Sequence, residues 1–182
     1  MKQGLKALDV KRTETDEGFA YLDELKYGET KKCPCTKPED FLSLERIKEA
    51  LKVSVSHKVR KVLNLYSSSK ASKKDFVNSL YALDVVEATE EHIRYVSFVY
   101  FMNRIGQKDI TCEGIKRNLT NLCMLYGLHN LYKDSKSCYE AGYFGNKPYS
   151  EYMLEAIKLL NKEIRPVALS IIEAPEIHDM FL

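Results

Sequence analysis

The sequence predicts an all-α protein, built as a bundle of four to five helices. Residues 72–105 contain neither Gly nor Pro and would extend roughly 50 Å as a single helix, at about 1.5 Å per residue. Several other segments repeat apolar residues every three to four positions, which is typical of amphipathic helices. No segment shows the strict alternation of apolar and polar residues that indicates a half-buried strand. We therefore expect the helix at 72–105 to be the central element of the bundle.

Residues 1–37 are expected to form an N-terminal connecting segment with short helices, and residues 38–182 the helical bundle. Both prolines of the stretch 31–38, KKCPCTKP, resist helix formation, so this stretch predicts a solvent-exposed loop. The residues that suggest the short helices are Leu5, Leu8, Val10, Phe19, Tyr21, Leu22 and Leu25, and Gly28 would end the last of them.

The first long helix is predicted at 38–66. Thr36 and Glu39 match a capping box, in which side-chain oxygens accept free backbone N–H groups, and Pro38 is tolerated in a first helical turn. A polar turn at 67–71 would reverse the chain, so that the central helix runs antiparallel to this one. The apolar face of the first long helix consists of Phe41, Leu44, Ile47, Leu51, Val55, Val59 and Val62.

The central helix carries its own start and stop signals. Ser72 and Asp75 resemble a capping box at its beginning, while Arg104 in the last turn and Gly106 after it indicate its end. Its apolar stripe consists of Val77, Leu80, Tyr81, Ala88, Tyr95, Val99 and Met102.

Three polar residues, Asp84, Glu91 and His92, interrupt that stripe. A buried charge is costly unless it has a partner. We therefore expect the acids of this helix to form buried ion pairs with neighbouring helices; these acids are Asp84, Glu87, Glu90 and Glu91. The candidate partners are Arg94, Arg117 and Lys58.

A further helix is predicted at 112–133, with Thr111 as its cap. Gly114 and Gly127 lie inside it, and each costs up to about 1 kcal/mol relative to Ala in a helix interior. Close packing against other helices is expected to offset that cost. Its apolar face consists of Ile115, Leu119, Leu122, Cys123, Tyr126, Leu128 and Leu131.

The last helix is predicted at 148–173, after a loop at 134–147 that has room for a short helical piece. Pro148 suits a first helical turn, whereas Pro166 removes a helix hydrogen bond and must kink or break the helix. The apolar stripe consists of Tyr152, Ala156, Leu159, Leu160 and Ile164.

Composition narrows the classes of protein that need to be considered. The 182 residues are 45% hydrophobic, and 28 basic and 26 acidic residues leave a net charge of +2, which supports neither nucleic-acid nor membrane binding. No apolar run approaches the roughly 20 residues that span a bilayer. Five cysteines at irregular spacing argue against a disulfide framework, so we expect reduced thiols and an intracellular setting.

No complete catalytic, cofactor-binding or metal site can be assembled from the sequence. Cys33 and Cys35 are separated by one residue, whereas zinc sites usually separate paired cysteines by two to four. His92 follows Glu90 and Glu91 directly, without the Glu-x-x-His spacing of di-iron helix bundles. The other histidines, His57, His129 and His178, lie far from one another in the sequence. No Gly-rich phosphate loop is present, so no site residue is assigned.

A basic run at 57–61, HKVRK, continues after the turn in Lys70, Lys73 and Lys74. The favoured interpretation is a solvated helix end. Contact with a phosphate-bearing ligand or with an acidic neighbouring domain is the alternative.

Three segments resemble the C-terminal α-domain of the peroxisomal acyl-CoA oxidases. Residues 164–168, IRPVA, with 171–174 and 177–179, are similar to that family's IRPNA…VDAF…D segment. Residues 121–128, NLCMLYGL, are similar to its NLCLLY helix. The pattern of Ala88, Glu90, His92, Tyr95 and Val96 is similar to its A-S-E-A-H-x-x-Y-V pattern, with Thr89 and Glu91 as departures.

The resemblance implies an FAD-dependent, homodimeric enzyme of peroxisomal fatty acid β-oxidation. Such an enzyme desaturates fatty acyl-CoA to trans-2-enoyl-CoA and passes the electrons to O2, which gives H2O2. It also implies that the flavin-binding domains, the catalytic glutamate, the closing segment and any peroxisomal signal lie outside this chain. The chain is then a truncated C-terminal domain, and we expect no catalytic residue within it. The alternative is a standalone helical interaction module without catalytic activity.

Overall fold

The computed structural model describes residues 17–19, 21–24 and 31–173. Four long helices dominate this part: α1 (Leu44–Ser68), α2 (Ala82–Ile105), α3 (Glu113–Lys133) and α4 (Tyr149–Ile164). No strand occurs among the described residues, and the prediction of an all-α bundle is confirmed. The shorter elements are 3-10 turns at Glu17–Phe19, Pro38–Phe41 and Arg165–Val167, a π-helix at Phe76–Leu80, and helical segments at Tyr21–Glu24, Lys73–Asp75, Lys136–Glu140 and Ala168–Glu173.

The predicted antiparallel pair forms the broadest helix contact of the bundle, between α1 and α2. The Tyr66 ring at the end of α1 lies 5.0 Å from Phe76, ahead of α2. Ile47 near the start of α1 and Phe98 in the second half of α2 both lie next to Gly127 of α3. Because the end of one helix meets the beginning of the other, the two run antiparallel. Helix α3 packs against both of them and against α4.

The first long helix begins at Leu44 rather than at 38, which corrects the predicted boundary. The Asp40 carboxylate accepts the backbone N–H of Thr36 at 2.8 Å and of Lys37 at 3.2 Å. Asp40, and not Glu39, is thus the capping acid, and it closes the separate 3-10 turn Pro38–Phe41. The backbone at Leu42, with φ −80° and ψ 52°, ends that turn before α1 starts.

The central helix is interrupted, so the prediction of one helix over 72–105 is wrong at its start. Ser72 does cap the segment, because its Oγ accepts the backbone N–H of Asp75 at 3.2 Å. A π-turn follows, in which Tyr81 donates its N–H to the Phe76 carbonyl at 3.1 Å. Phe76 is buried with its ring 4.7 Å from Tyr81 and 5.0 Å from Tyr66. The break turns the Phe76 side chain inward, where its ring packs between Tyr66 and Tyr81.

The buried face of α2 also differs from the predicted stripe. Ala88, Tyr95 and Val99 are buried as expected. Val77 and Leu80 are 39% and 64% exposed, because they lie before the break and not on the face that α2 buries. Phe98 at 0% and Glu91 at 2% exposure, together with Ile105, complete that face.

Helices α3 and α4 agree more closely with their predicted positions. Cys112 and not Thr111 precedes α3, and no side chain caps it. Pro166 breaks the last helix as expected, through the 3-10 turn between Ile164 and Ala168. Ile115 and Leu159, which were predicted to be buried, are 55% and 39% exposed.

The loop with Cys33 and Cys35 contradicts the prediction of solvent exposure. The two residues are 6% and 2% exposed and belong to the core, as does Tyr21 further upstream. Residues 1–16, 20, 25–30 and 174–182 lie outside the described residues, and with them the predictions for Leu5, Leu8, Val10, Leu25, Gly28 and the segment 177–179. Within the described part, no helix is both long and apolar enough to cross a membrane.

Candidate functional site

The most concentrated polar cluster of the described bundle surrounds Glu91. This residue sits in the middle of α2, on its core-facing side, and is 2% exposed. Arg94, one turn further along, places Nη1 at 3.2 Å from Glu91 Oε2. The fully buried Ser54 of α1 lies beside the same carboxyl, without a hydrogen bond of good geometry.

Asp134, just after α3, extends the cluster to a third helix. Its carboxylate contacts the Lys58 ammonium of α1 and lies 3.7 Å from Arg94 Nη1. Two cations thus face two carboxylates where α1, α2 and α3 meet. The predicted partners Arg94 and Lys58 take part, whereas Arg117 is exposed on α3. Of the other predicted acids, Asp84 pairs with Lys61 at 2.8 Å and Glu90 lies 3.4 Å from Arg94, while Glu87 is exposed.

Sequence reasoning missed Ser54 and Asp134, although each has a signal. Ser54 lies between Leu51 and Val55 on the buried face of α1. A polar residue at the helical spacing of buried apolar residues is the signal. Asp134 follows the last turn of α3, at the negative end of the helix dipole. An acid at that end requires cationic partners, and Lys58 and Arg94 supply them.

Burial raises the pKa of Glu91 above its ordinary value, and the nearby Ser54 hydroxyl, Lys58 and Arg94 oppose that rise. A carboxyl with a raised pKa can serve as a general acid or base if it reaches a substrate. The neighbours of Glu91 are side chains of the bundle itself, and only 2% of the residue is exposed. The arrangement therefore ties α1, α2 and the end of α3 together.

His92, next to Glu91, faces the N-terminal segment. Its Nδ1 lies 2.9 Å from the Tyr21 hydroxyl, and the Phe19 ring lies 5.1 Å from the imidazole. Desolvation lowers the pKa of His92. These contacts hold the described turns at Glu17–Phe19 and Tyr21–Glu24 against α2.

The basic run at 57–61 is largely neutralised by acids on neighbouring elements. His57 lies 3.2 Å from Glu140, while Lys58 and Lys61 contact Asp134 and Asp84. A groove of about 490 Å³ follows the end of α1. Its lining residues are His57, Arg60, Lys61, Asn64, Leu65 and Ser68. These pairs support a helix end held by ion pairs rather than an anion site.

The described residues contain no group of three or more His, Cys, Asp or Glu side chains that is arranged to bind a metal ion. Cys33, Cys35, Cys112, Cys123 and Cys138 are all free thiols. Cys33, Cys35, Cys123 and Cys138 are buried, whereas Cys112 is exposed.

The raised pKa of Glu91 predicts a specific dependence of stability on pH. The folded state binds the Glu91 proton more tightly than the unfolded state, so this residue stabilises the fold below about pH 4.5, its ordinary pKa. That contribution is lost as the pH rises through the raised folded-state pKa, by at most about 1.4 kcal/mol per pH unit. The Glu91→Gln variant, which does not ionise, is expected to lack this loss.

Urea unfolding of both proteins from acid to neutral pH measures the effect. Stability of the original chain relative to Glu91→Gln should fall with rising pH, and the contribution of His92 cancels because both proteins contain it. Glu90→Gln is the matched control, since the Glu90 side chain is 58% exposed and also contacts Arg94. The prediction is contradicted if the stability of the original chain minus that of Glu91→Gln stays constant or rises with pH.

Known proteins match the chain over most of its length. The family model described as acyl-CoA oxidase matches residues 43–182. Peroxisomal acyl-coenzyme A oxidase 1 of Rattus norvegicus is 30% identical over 146 residues, which is 79% of this chain and 22% of the rat protein. The protein of the same name from Phascolarctos cinereus is 28% identical over 120 residues, which is 65% of this chain and 18% of that protein.

Solved structures share the fold. An acyl-CoA oxidase from tomato, Lycopersicon esculentum, superposes with a TM-score of 0.82 at 20% identity, over 97% of this chain and 26% of that chain. Acyl-CoA oxidase-1 of Caenorhabditis elegans, solved in complex with FAD and ATP, has a TM-score of 0.71 at 16% identity, over 97% of this chain and 25% of that one. The chain therefore spans about a quarter or less of the length of these proteins.

Proposed function

Because the chain belongs to the acyl-CoA oxidase family, we propose that it is the C-terminal helical part of an FAD-dependent acyl-CoA oxidase. The whole enzyme would desaturate fatty acyl-CoA to trans-2-enoyl-CoA, with O2 accepting the electrons and leaving as H2O2. The match of the family model to residues 43–182 is the observation that carries this proposal. The rival proposal of a standalone interaction module has no comparable support.

The two grooves found on the described bundle do not fit an FAD site. A flavin needs a concave, largely apolar pocket, and its diphosphate needs free backbone N–H groups or unpaired cations. In the groove at the end of α1, His57 and Lys61 are paired with acids. A second groove of about 550 Å³ mixes bases with two glutamates. Its lining residues are Lys31, Glu45, Arg46, Lys48, Glu49 and Lys52. We therefore assign no flavin contact to this part of the protein and derive no reaction step within it.

The proposed role of the chain is to support the domains that bind flavin and acyl-CoA. An exposed apolar face on α2 supports this role. Leu83, Val86, Ile93 and Tyr100 are 71%, 51%, 57% and 55% exposed. They are spaced by three and seven residues, so they lie along one side of the helix. A row of exposed apolar side chains along one side of a helix is consistent with a surface that other protein covers.

The remaining parts of the proposal follow the family. We propose that the enzyme lies in the peroxisome, because the relatives quoted above are named peroxisomal. We also propose that it is a homodimer, as the family resemblance implies. We further propose that residues 38–182 form the helical domain and that residues 1–37 connect it to the rest. Immunofluorescence of the native protein, compared with a peroxisomal marker, tests the proposed location.

The isolated chain is expected to bind little FAD and to release no H2O2 from palmitoyl-CoA. The reason is that neither of the two grooves described above fits a flavin and its diphosphate. Equilibrium dialysis against FAD and a peroxidase-coupled assay measure the two quantities. Turnover by the chain alone would refute this expectation.

The proposed function itself is tested on the native protein. Antibodies against this chain should isolate a yellow polypeptide several times longer than 182 residues, with flavin absorbance and palmitoyl-CoA-dependent release of H2O2. Free CoA, which lacks an acyl chain to desaturate, is the matched control substrate. A native product of about 182 residues, without flavin and without peroxide release, would overturn the proposal and favour the interaction module.

A further inference from the structure

Three lysines at the turn between α1 and α2 have no acidic partner within the described part of the chain. Lys70 lies in the link after α1, and Lys73 and Lys74 follow Ser72 in a first helical turn. All three are exposed, and none forms an ion pair with a carboxylate of the described residues. They differ in this from the two lysines of the run at 57–61, which are paired with acids.

The position of Lys73 and Lys74 is unfavourable for the helical segment that they begin. The first turn of a helix carries partial positive charge, so acids stabilise it and cations do not. The acid of that turn, Asp75, accepts a hydrogen bond from the Ser72 hydroxyl at 2.7 Å. The two lysines therefore weaken the start of this segment unless a carboxylate from elsewhere meets them.

The same stretch of chain exposes apolar side chains. Val77, Leu80 and Leu83 are 39%, 64% and 71% exposed and follow the lysines along successive turns of helical backbone. Single exposed apolar residues are ordinary on a protein surface, but here three of them adjoin three unpaired cations. This combination is consistent with an interaction site. The name basic corner is used below for Lys70, Lys73, Lys74, Val77, Leu80 and Leu83.

We propose that the basic corner is a docking site for an acidic segment with apolar residues, which belongs to the part of the same polypeptide outside this chain. Carboxylates of that segment pair with the lysines, and its apolar side chains cover Leu80 and Leu83. The inference rests on the proposed function, in which this chain is one part of a longer enzyme. The chain spans 22% of the rat oxidase and 26% of the tomato oxidase that it resembles.

The modest strength of the basic corner favours a partner on the same polypeptide. Three exposed ion pairs strengthen an association roughly 3- to 150-fold in total, which is too little to capture a dilute free protein. A segment tethered by a linker is present at an effective concentration on the order of millimolar, so a weak site suffices to hold it. An anionic membrane surface would have to be held by the same few contacts without that advantage.

Cross-linking of the native protein tests the proposal. The protein, isolated with antibodies against this chain, is treated with a water-soluble carbodiimide, which joins an amine directly to a carboxylate in contact with it. Mass spectrometry of the digested product locates the links. At least one lysine of the basic corner is expected to join an Asp or Glu outside the 182 residues. Lys61 should join Asp84, its partner at 2.8 Å, which verifies that the reagent reports ion pairs.

The acetylation rate of the same lysines measures how fully the basic corner is covered. They should react at least about tenfold more slowly in the native protein than in the isolated chain, the protection expected from a docked population of about 90%. Lys162 is the matched control, because it is exposed on α4 and forms no ion pair with a described residue. Its rate should be the same in both proteins.

A substitution in the native protein separates docking from the fold of the bundle. Leu80→Ser should return the acetylation rate of the three lysines towards that of the isolated chain, since it removes an apolar contact with the docked segment. The control is Leu169→Ser, at a residue that is 68% exposed in the last described helical segment. This control should leave the protection of the lysines unchanged.

Three results would overturn the proposal. They are links from the basic corner only to carboxylates within the 182 residues, no link from it while Lys61 joins Asp84, and equal acetylation rates in the two proteins. A flavoprotein that releases peroxide but gives one of these results overturns the docking alone. A native protein without flavin or peroxide release that forms the expected links overturns only the oxidase function.

Discussion

Replacing Gly127 with Ala is expected to destabilise the chain by about 1–3 kcal/mol, the usual cost of inserting a methyl group into a packed core. A Cβ at Gly127 would lie 2.5 Å from Ile47 Cγ2 and 2.5 Å from Phe98 Cε2. Both neighbours are 0% exposed, so neither can move away into solvent. Helices α1, α2 and α3 meet at Gly127 without room for a methyl group, so the substitution must push them apart.

Gly114→Ala is the matched control on the same helix. A Cβ there would meet only Cys112 Sγ, at 3.9 Å. Its expected effect lies between no change and a gain of about 1 kcal/mol, the difference in helix propensity between the two residues. Urea unfolding of both variants measures the contrast. Equal stability of the two variants would show that Gly127 is not a packing contact.

Replacing Phe98 with Ala is expected to cost about 3–5 kcal/mol, the range for removing a fully buried phenyl ring. Phe98 is 0% exposed and contacts the helix crossing at Gly127 from the α2 side. Tyr100→Ala is the control, since Tyr100 lies on the same helix but is 55% exposed. Its expected effect is within about 0.5 kcal/mol. Equal losses for the two variants would contradict the burial of Phe98.

The two core predictions are coupled, which allows a test of their common cause. In a Phe98→Ala background the ring that obstructs a Cβ at Gly127 is gone. The Gly127→Ala substitution should therefore cost less there than in the original chain. A coupling of about 0.5–3 kcal/mol is expected for residues in direct contact. Strictly additive effects would place the obstruction at Ile47 alone.

Local sequence signals predicted most of the helices, because helical periodicity and punctuation act over a few residues. The end of α2 at Gly106 and the break at Pro166 are confirmed. Capping at Ser72 is confirmed as well. The interruption at Tyr81 was missed because no Gly or Pro accompanies it, and because the rings that pack there come from two segments.

The candidate site was predicted only in part, because some of its contacts join residues that are far apart in the sequence. Glu91 was recognised as a polar interruption, and Arg94 as its partner on the same helix. Asp134 escaped notice because it reaches Arg94 only after α3 has crossed the bundle. The pair Cys33–Cys35 was taken for an exposed loop because Pro34 signals irregular backbone but carries no information about burial.

The sequence by itself determined that the chain is all-α, where its long helices lie, and which family it resembles. These properties follow from apolar spacing, prolines and local motifs. Only the tertiary structure decided which faces are buried, where the central helix breaks, why Gly127 must be small and how the Cys33 backbone bonds to Tyr143 and Tyr149. Each of these depends on contacts between residues far apart in the chain, and no local pattern in the sequence records them.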